Sequence, residues 1–441
     1  NYATLQRRSL PPAGTTGTAI TADTLAQPRD LETEALNDIA PLANQMAAAL
    51  RDSRRRTLAL VDDLSAAQWS PPHQIGINPI AWELAHIAWF AEFWILRGPH
   101  HRDVEGFAHG QLPPRFAGPD ALFDSARLAH ARRWVEPMPS REALQPMLQG
   151  QLEACIQAIP ALDTATTTDD PSAPDPLYFH RLALFHEDMH GEAFCWMRAA
   201  LGYPAPTDIA VPTVATRTLL DLPGADVRVG LDTTNPGFAF DNESPPQSLR
   251  LPGYTIDSAP VSAGDFARFV EAGGYDEPGF WPAEAGAWRA QSACAHPQRW
   301  RRAVTGRSDG LGAWEMRWFD RWLPLDPDSA ALHLNAFEAQ AYCLWSGRRL
   351  PSAAEWEHAA LTQPGFQWGH RVWEWTADAF APYPGFAPGP YREYSQPWFG
   401  NHRELRGGAF ATHARMHHPR YRNFFQPHRS DVFAGFRTVA G

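Results

Sequence analysis

The character of the sequence changes near residue 206, and this change limits the architectures that the chain can adopt. Before it, apolar residues recur at helical spacing in four long stretches, residues 31–64, 78–98, 140–159 and 177–202. After it come short strand-like segments, many Gly and Pro residues and most of the 18 tryptophans. Consecutive long helices pack as a bundle, whereas the second texture is typical of a loop-rich α+β domain. We therefore predict a four-helix bundle followed by an α+β domain.

Local signals divide the chain further. Its opening residues are rich in Ala, Thr and Gly without periodicity, which predicts a poorly ordered arm. The three predicted parts are the arm at residues 1–30, the bundle at residues 31–205 and the α+β domain at residues 206–441. Asn78 is a candidate N-cap for the second long helix. In the α+β domain one clear helix is expected, and it begins at a capping box formed by Ser352 and Glu355.

Composition argues against several classes of partner. No apolar run reaches the ~18–20 residues of a membrane span, and the start has no apolar signal segment. The net charge of −11 is opposite in sign to a nucleic-acid-binding surface. The four cysteines form no C-x-x-C pair, which is typical of a reducing compartment and gives no support for a structural zinc site. We expect a cytoplasmic protein that acts on small molecules, without a nucleic-acid or membrane partner.

The segment "FHEDMHGEAF" at residues 185–194 contains two histidines at metal-chelating spacing. His186 and His190 are four residues apart in a helical stretch and therefore project from one face. Read literally, H-E-x-x-H is a zinc-protease motif. Neither the H-x-x-G-x-x-H continuation nor a glutamate about twenty residues on is present, so a protease is disfavoured. A third ligand is expected from a facing helix instead.

His86, in "WELAHIAWFAEF", is the candidate for that third ligand. It is flanked at helical spacing by aromatic residues, so it is expected to point into the bundle. A lone histidine on an apolar face is more often a hydrogen-bonded core residue. Its combination with a histidine pair on another helix favours a three-histidine site. Such a site suits zinc, iron, copper or nickel and leaves coordination positions open for catalysis.

The carboxylates near the histidine pair are given other roles. Glu192 and Asp188 are expected to point away from the pair, and Glu192 to have a packing or supporting role. Glu187 is nearer the ligand face, where it either orients an imidazole or is solvated.

Several motifs together resemble a known family. The H-x-x-x-H-x-E motif and the upstream "LAHIAWF" resemble the DinB-like bundle of the ergothioneine-type sulfoxide synthases. "RRLPSAAEWEHAAL", "VWEWTAD", "LRGGAF" and "FAGFRTV" resemble the formylglycine-generating-enzyme domain, a C-type-lectin-like fold, in the usual order. The resemblance covers about residues 35–440. It implies a mononuclear non-haem iron(II) held by His86, His186 and His190. It also implies that O2 reduction is coupled to joining sulfur to the imidazole C2 of hercynine, the betaine of histidine.

The resemblance also implies substrate-contacting residues in the second domain. The family's substrate-binding segment matches "YRNFF", that is Asn423, Phe424 and Phe425, with Arg429 just behind it. The family has an active-site tyrosine near "PYREYS", which matches Tyr391 or Tyr394, and we prefer Tyr391. Either tyrosine is equally compatible with a packing role in which its hydroxyl is hydrogen-bonded.

Departures from the family pattern indicate a particular branch. Members that take γ-glutamylcysteine have Gln before the second motif histidine, where this chain has Met189. Their thiol-binding arginines match a stretch that here differs and offers Arg127, Arg132 and Arg133. This stretch and "LALFHEDMH" are more similar to the selenoneine synthase branch, which joins selenium from a selenosugar to hercynine. We predict that function, with a hercynine sulfoxide synthase using a thiol such as γ-glutamylcysteine as the alternative.

Three further functions are compatible with parts of the pattern. A formylglycine-generating enzyme is disfavoured, because the late segment at residues 415–437 lacks its reactive cysteine pair. A non-catalytic binding module with structural histidines predicts no bound metal. A zinc hydrolase predicts zinc and a hydrolysable substrate.

Overall fold

The computed structural model describes residues 42–160, 175–207, 209–232, 238–303 and 314–441. The expected arm at residues 1–30 and the beginning of the first helical stretch lie outside these residues. In the described part of the chain, no helix combines the length and the hydropathy that crossing a bilayer requires. All four cysteines are free.

Helices occupy the first half of the described chain. They are α1 Leu42–Ala59, α2 Ala66–Trp69, α3 Ile80–Leu96, α4 Asp120–Phe123, α5 Arg141–Gln157 and α6 Tyr178–Leu201. The four long ones pack together, with α3 against α5 and α6, and α1 against α6 and α5. Almost every side chain of α3 is buried, as its apolar sequence predicts. Helix α6 ends at Gly202, which adopts the left-handed conformation that favours glycine.

The start of α3 differs from the expectation. Pro79 precedes the first helical residue, Ile80, and no side chain caps the helix. Asn78 is therefore not the N-cap. Its amide donates instead to the carboxylate of Glu83 over 2.6 Å, one turn into the helix.

A short hairpin follows α3. Its strands are β1 His100–Arg102 and β2 Ala108–Gly110, paired antiparallel. The His100 ring lies 2.7 Å from the carbonyl oxygen of Phe93, which ties the hairpin back to the helix that it follows.

The described residues of the second half combine small sheets with four α-helices. The helices are α7 Ala263–Glu271, α8 Glu284–Ser292, α9 Ala336–Trp345 and α10 Ala353–Thr362. The expectation of one clear helix was correct for α10, whose Ser352–Glu355 capping box is present, but it missed the other three. Two of those begin at capping residues that the sequence displays, Ser262 before α7 and Asn335 before α9.

The strands described in the second half form four sheets. Their bounds are β3 Leu219–Leu222, β4 Ala225–Val229, β5 Gln247–Leu251, β6 Tyr254–Asp257, β7 Trp300–Arg302, β8 Trp314–Trp318, β9 Arg321–Pro324, β10 Arg348–Arg349, β11 Trp373–Ala379, β12 Arg403–Arg406, β13 Asn423–Phe425, β14 Ala434–Gly435 and β15 Val439–Ala440. The sheet orders are β10-β15-β6-β3, β13-β12-β11-β14, β4-β5 and β7-β8-β9. Strand β14 is parallel to β11, and the other pairs are antiparallel.

The helical half and the sheet half share a buried core. One cluster of buried apolar side chains runs from Ile80 and Phe90 of α3 to Trp373 of β11 and Phe433 near the C-terminus. The sheet β13-β12-β11-β14 therefore packs next to the helices that carry the histidines.

Candidate metal centre

Three imidazoles converge between α3 and α6. His86 comes from α3, and His186 and His190 come from one face of α6. One nitrogen from each ring lies within 4.8 Å of the others. The structure thus brings together the three histidines that the sequence predicts as metal ligands.

The surroundings of His86 fix its tautomer and its charge. Its Nδ1 lies 2.7 Å from the carbonyl oxygen of Phe123, so Nδ1–H donates there and Nε2 is free to face the centre. The ring is stacked against Trp82, with centroids 4.8 Å apart. Burial lowers the pKa of His86 to about 3. A neutral imidazole with an available lone pair is the form that binds a metal ion.

His190 is oriented by a carboxylate that sequence reasoning missed. Its Nδ1 lies 2.5 Å from Oε1 of the buried Glu83. Burial opposes ionisation of this carboxyl, but the adjacent His190 keeps the pKa of Glu83 below its usual value. The arrangement is the carboxylate–histidine pair that commonly supports metal ligands. A signal for it existed, because Glu83 lies three residues before His86 on an otherwise apolar helix.

The donor set fits a metal ion. His186 Nε2 lies 3.1 Å from His190 Nε2, and the His186 Nδ1 is buried with no hydrogen-bond partner among the described residues. Because His190 Nδ1 donates to Glu83, its Nε2 faces the His186 Nε2, and a cation between the two rings would be a partner for both of these nitrogens. Burial and the neighbouring histidines lower the pKa of His186 well below its usual value. The Phe90 ring stacks on His186 at 3.6 Å, which limits access of water from that side.

The carboxylates of α6 each have a partner away from the imidazoles. Glu187 is buried and forms an ion pair of 2.7 Å with Arg54, so the two expectations for it, orienting an imidazole or being solvated, were both wrong. Asp188 accepts a hydrogen bond from Ser53 and pairs with Arg415. Burial raises the pKa of Asp188 to about 6. The projection of Glu192 and Asp188 away from the histidine pair agrees with the expectation.

A cavity of about 300 Å³ lies beside His190 and is lined by both halves of the chain. Its walls are mainly aromatic, with two carboxylates and two asparagines. Its lining residues are Asn78, Glu83, Met189, His190, Glu192, Ala193, Trp196, Trp373, Tyr394, Met416, Tyr421, Asn423, Phe424 and Phe425. Five of the predicted substrate or catalytic residues are among them: Met189, Tyr394, Asn423, Phe424 and Phe425. Among the described residues, no arginine or lysine lines this cavity.

The side chain of Glu192, on helix α6, contacts the sheet half at this cavity. Its carboxylate accepts hydrogen bonds from the Trp373 indole at 2.7 Å and the Thr412 hydroxyl at 2.6 Å. Burial raises the pKa of Glu192 to about 6, against the effect of these two donors. Its position gives Glu192 a supporting role, as the sequence predicts, and also a place in the cavity wall.

The two predicted tyrosines are neighbours, with ring centroids 6.3 Å apart, and they line different cavities. Tyr391 contacts Phe90 edge-on at 4.8 Å, and its ring centroid is 6.2 Å from that of His186. Tyr394 lines the main cavity, where its hydroxyl is 2.9 Å from that of Tyr421. Burial raises the pKa of both predicted tyrosines. Tyr421 is a cavity residue that sequence reasoning missed, although it stands two residues before Asn423.

A second, much smaller cavity of about 20 Å³ adjoins His86. Its lining residues are His86, Trp89, Phe93, Trp94, Ala108, Asp124, Ser125, Ala126, Tyr391 and Glu393. In the described chain its wall too contains carboxylates and hydroxyls but no arginine or lysine. Burial raises the pKa of Asp124, whose carboxylate is paired with Arg127.

The four predicted substrate-binding arginines do not line either cavity. The reason in three cases is a carboxylate partner, since Arg127 pairs with Asp124, Arg132 with Glu136 and Arg429 with Asp431. Arg133 donates to the Asn78 side chain, and its guanidinium lies 3.8 Å from the centre of the Trp82 ring. Arg429 also lies over the Trp196 and Phe425 rings, behind the wall of the main cavity. The structure therefore places these arginines outside the walls of both cavities, and their contact with substrate stays a prediction.

Comparison with known proteins gives two domain matches. The model of the sulfatase-modifying factor enzyme 1-like domain matches residues 210–371 and 366–441. The model of the DinB superfamily matches residues 49–194.

Individual relatives fall into two groups. The hercynine oxygenase of Mycolicibacterium smegmatis is 29% identical over 451 residues, covering 90% of this chain and 98% of that protein. The hercynine oxygenase of Mycobacterium tuberculosis is 28% identical, with the same coverage of both chains. The formylglycine-generating enzyme of Thermomonospora curvata is 30% identical over 223 residues, covering 42% of this chain and 69% of that protein. The first two relatives match across both halves, whereas the third matches a smaller part of this chain.

Proposed function

Because the chain belongs to the family of sulfatase-modifying factor enzyme 1-like domains, and a DinB superfamily domain precedes that domain, we propose an O2-dependent coupling enzyme. It uses non-haem iron(II) to join selenium from a selenosugar to the imidazole C2 of hercynine. The observation that carries the proposal is the convergence of three histidines beside an aromatic cavity with carboxylates in its wall.

The main cavity suits the charge and shape of hercynine. A trimethylammonium group is attracted to the faces of aromatic rings, and Trp196, Trp373 and Phe424 supply them. The carboxylate of Glu192 adds a negative charge to the same wall. Asn78 and Asn423 offer side-chain amides to the carboxylate of the betaine. A betaine placed in this way would have its imidazole next to His190.

The reaction requires an oxidant, because imidazole C2 does not react with a selenol or thiol at neutral pH. Replacing C2–H and Se–H by a C2–Se bond, with oxidation of the selenium to its oxide, consumes one O2 and releases one water. Iron(II) held by His86, His186 and His190 would supply the activation of O2. Glu83 keeps the proton of His190 on Nδ1, and Phe90 limits the access of water. Tyr391 in the wall of the small cavity and Tyr394 in the wall of the main cavity offer hydroxyls that can hold or deliver a proton.

The lining of the two cavities favours an uncharged donor. γ-Glutamylcysteine has two carboxylates, which need cationic partners when they leave water. In the described chain neither cavity beside the histidines is lined by an arginine or lysine. A second candidate, the thiol-using sulfoxide synthase, is favoured by the two hercynine oxygenases that match 90% of this chain.

Reconstitution distinguishes these functions. The protein is loaded with Fe(II) without air, then mixed with hercynine, air and either a selenosugar or γ-glutamylcysteine, and the products are identified by mass spectrometry. We expect a hercynine–selenosugar adduct that His190→Ala abolishes. His180→Ala is the matched control, because His180 is a buried histidine of the same helix that bonds to the Cys155 carbonyl, outside the centre.

The other outcomes are equally specific. An adduct formed from the thiol alone would assign the enzyme to sulfoxide synthesis. Absence of O2 consumption with both donors would contradict iron-dependent coupling and leave a binding module. Tight zinc binding with hydrolysis of a test substrate would indicate a hydrolase.

A further inference from the structure

The hairpin β1–β2 of the helical half holds the tyrosine-bearing segment of the sheet half. Arg102 at the end of β1 forms an ion pair with Glu393 through both of its terminal nitrogens. The same guanidinium donates to the Pro390 carbonyl over 2.8 Å. In return, Arg392 donates to the Gly106 carbonyl over 2.7 Å. We call this set, Arg102, Gly106, Arg392 and Glu393, the clasp.

The clasp is connected to the candidate metal centre on two sides, through the hairpin and through the tyrosine segment. On one side, His100 ties the hairpin to the Phe93 carbonyl of α3, the helix that carries His86. On the other side, Glu393 lies two residues after Tyr391, whose ring contacts Phe90 at 4.8 Å. The ligand helix and the tyrosine are thus joined by a short path of side-chain contacts.

The tyrosine segment has little regular structure of its own to hold it. Residues 392–394 form a single 3-10 turn, followed by another at residues 396–398. Within the sheet half, Asp241 holds the segment by accepting bonds from the Gly389 amide and the Ser395 hydroxyl, at its two ends. Between those ends the clasp supplies charge-assisted hydrogen bonds to the backbone and side chain, and such bonds are stronger than neutral ones.

The hairpin is shaped for this contact. Gly106 has a φ of 94°, and a Cβ at this position would lie 2.3 Å from an Arg392 nitrogen. A side chain there would therefore be strained by the backbone and would collide with the clasp. The ion pair is only partly exposed, with 22% of the Arg102 side chain and 25% of the Glu393 side chain accessible.

We propose that Arg102 is a positioning residue, which acts through Glu393 to set the distance of Tyr391 from the histidine centre. The inference rests on the proposed function, in which Tyr391 serves the reaction beside His186. Misplacement of a reacting group by about 1 Å is enough to lower a rate by on the order of 100-fold. A clasp that connects the ligand helix to the tyrosine fixes that distance through side-chain contacts from both halves.

A double-mutant cycle with Tyr391 tests the proposal. Arg102→Ala is expected to lower kcat about tenfold or more and to leave the KM for hercynine within about twofold. In a Tyr391→Phe background the same change is expected to have no further effect on kcat. Arg102→Lys, which keeps the charge without the planar fork, should recover only part of the rate. Arg301→Ala is the control, because Arg301 pairs with Glu315 in the sheet β7-β8-β9, away from the centre.

Hydrogen exchange provides a measurement that needs neither iron nor turnover. In the metal-free protein, Arg102→Ala and Gly106→Ala should each increase exchange in residues 388–398, while α6 remains protected as in the wild type. Equal losses of kcat in the wild-type and Tyr391→Phe backgrounds would overturn the proposal, as would unchanged exchange in residues 388–398. If the wild-type protein makes no product from hercynine, the proposed function fails, whereas the exchange experiment still reports whether Arg102 holds the segment.

Discussion

The three histidines of the centre differ in what supports them. A backbone carbonyl accepts from His86 Nδ1, a carboxylate accepts from His190 Nδ1, and the His186 Nδ1 is buried without a partner in the part of the chain that the structure describes. A negatively charged acceptor raises the basicity of the opposite ring nitrogen more than a neutral one does. We therefore expect His190 to be the strongest donor of the three, and Glu83 to influence the metal more than any other residue outside the ligand set.

Glu83→Gln is expected to weaken metal binding about 10- to 100-fold, because the neutral amide oxygen is a weaker acceptor for the His190 Nδ1–H than the anionic carboxylate is. The measurement is a titration of the metal-free protein with Fe(II) or Co(II) without air. Glu92→Gln is the control, since Glu92 is a buried carboxylate of the same helix that accepts backbone amide hydrogen bonds from residues 115–117. Equal metal affinities in the two variants would show that Glu83 does not act on the metal.

At the residue scale, the sequence predicts which way a side chain points better than it predicts which residue that side chain contacts. The four-residue spacing of His186 and His190, with the aromatic neighbours of His86, was enough to identify the triad. Helical projection also placed Glu187 nearer the ligand face than Glu192, where it was expected to orient an imidazole or to be solvated. It could not reveal that Arg54, 133 positions earlier, would reach Glu187. Contacts over such distances depend on how the helices pack, which local spacing does not encode.

At the scale of elements, α6 is the helix whose side chains contact several other parts of the molecule. Its 24 residues present the imidazoles to α3, Glu187 to α1 and α5, and Glu192 to the sheet half. Arg54 of α1 pairs with Glu187 and also donates to the Leu148 carbonyl and to Gln151 of α5. This buried network joins three helices, so it contributes to how precisely α6 is placed.

Glu187→Ala is expected to lower the free energy of unfolding by about 3–5 kcal/mol, because it leaves the Arg54 guanidinium buried without its counter-charge. Metal affinity measured on the folded protein should stay close to that of the wild type. Urea denaturation of the metal-free protein gives the stability. The double variant Arg54→Met/Glu187→Leu should lose less than the single one, and a loss of metal affinity without a loss of stability would contradict this role.

The helices of the sheet half show what a short capping signal can predict. Asn335 and Glu338 form a capping box at the start of α9, of the same kind as the one that identified α10. The sequence displays it as N-x-x-E, but α7 and α8 have nine residues each and α9 has ten. Periodicity over so few residues does not distinguish a short helix from a loop. In the folded chain, burial against the sheets makes these short segments helices rather than loops.

Glu338 gives α9 a pH-dependent stability. Burial raises its pKa from 4.5 to about 7, even though Tyr275 and the Asn335 amide donate to it. The folded protein therefore binds this proton more tightly than the unfolded chain. The stabilisation is fully present below pH 4.5 and is lost as the pH rises through about 7. Thermal unfolding of Glu338→Gln should show a smaller decrease in Tm between pH 5 and 8 than the wild type, and an identical pH profile would contradict the assignment.

For the whole molecule, the important feature is that the cavity beside the histidines is shared by both halves. The helical half supplies Met189, His190 and Trp196, and the sheet half supplies Trp373 and Asn423. The sequence predicts both halves and places several of these residues at the site through the family resemblance. It does not predict the contacts that join the halves, such as those of Glu192, because they connect residues more than 180 positions apart.

Thr412→Val is expected to raise the KM for hercynine several-fold, because it removes one of the two donors that hold the Glu192 carboxylate in the cavity wall. Loss of a hydrogen bond to a charged group costs about 1.5–3 kcal/mol, so stability should also decrease.

Thr376→Val is a close control, since the hydroxyls of Thr376 and Thr412 each accept from a backbone amide and donate to an oxygen. The Thr376 hydroxyl makes both bonds inside the sheet half. If both variants lose stability and only Thr412→Val raises the KM, the junction between the halves shapes the substrate site. If both raise the KM equally, the effect is one of general stability, and the cavity does not depend on how Glu192 is held.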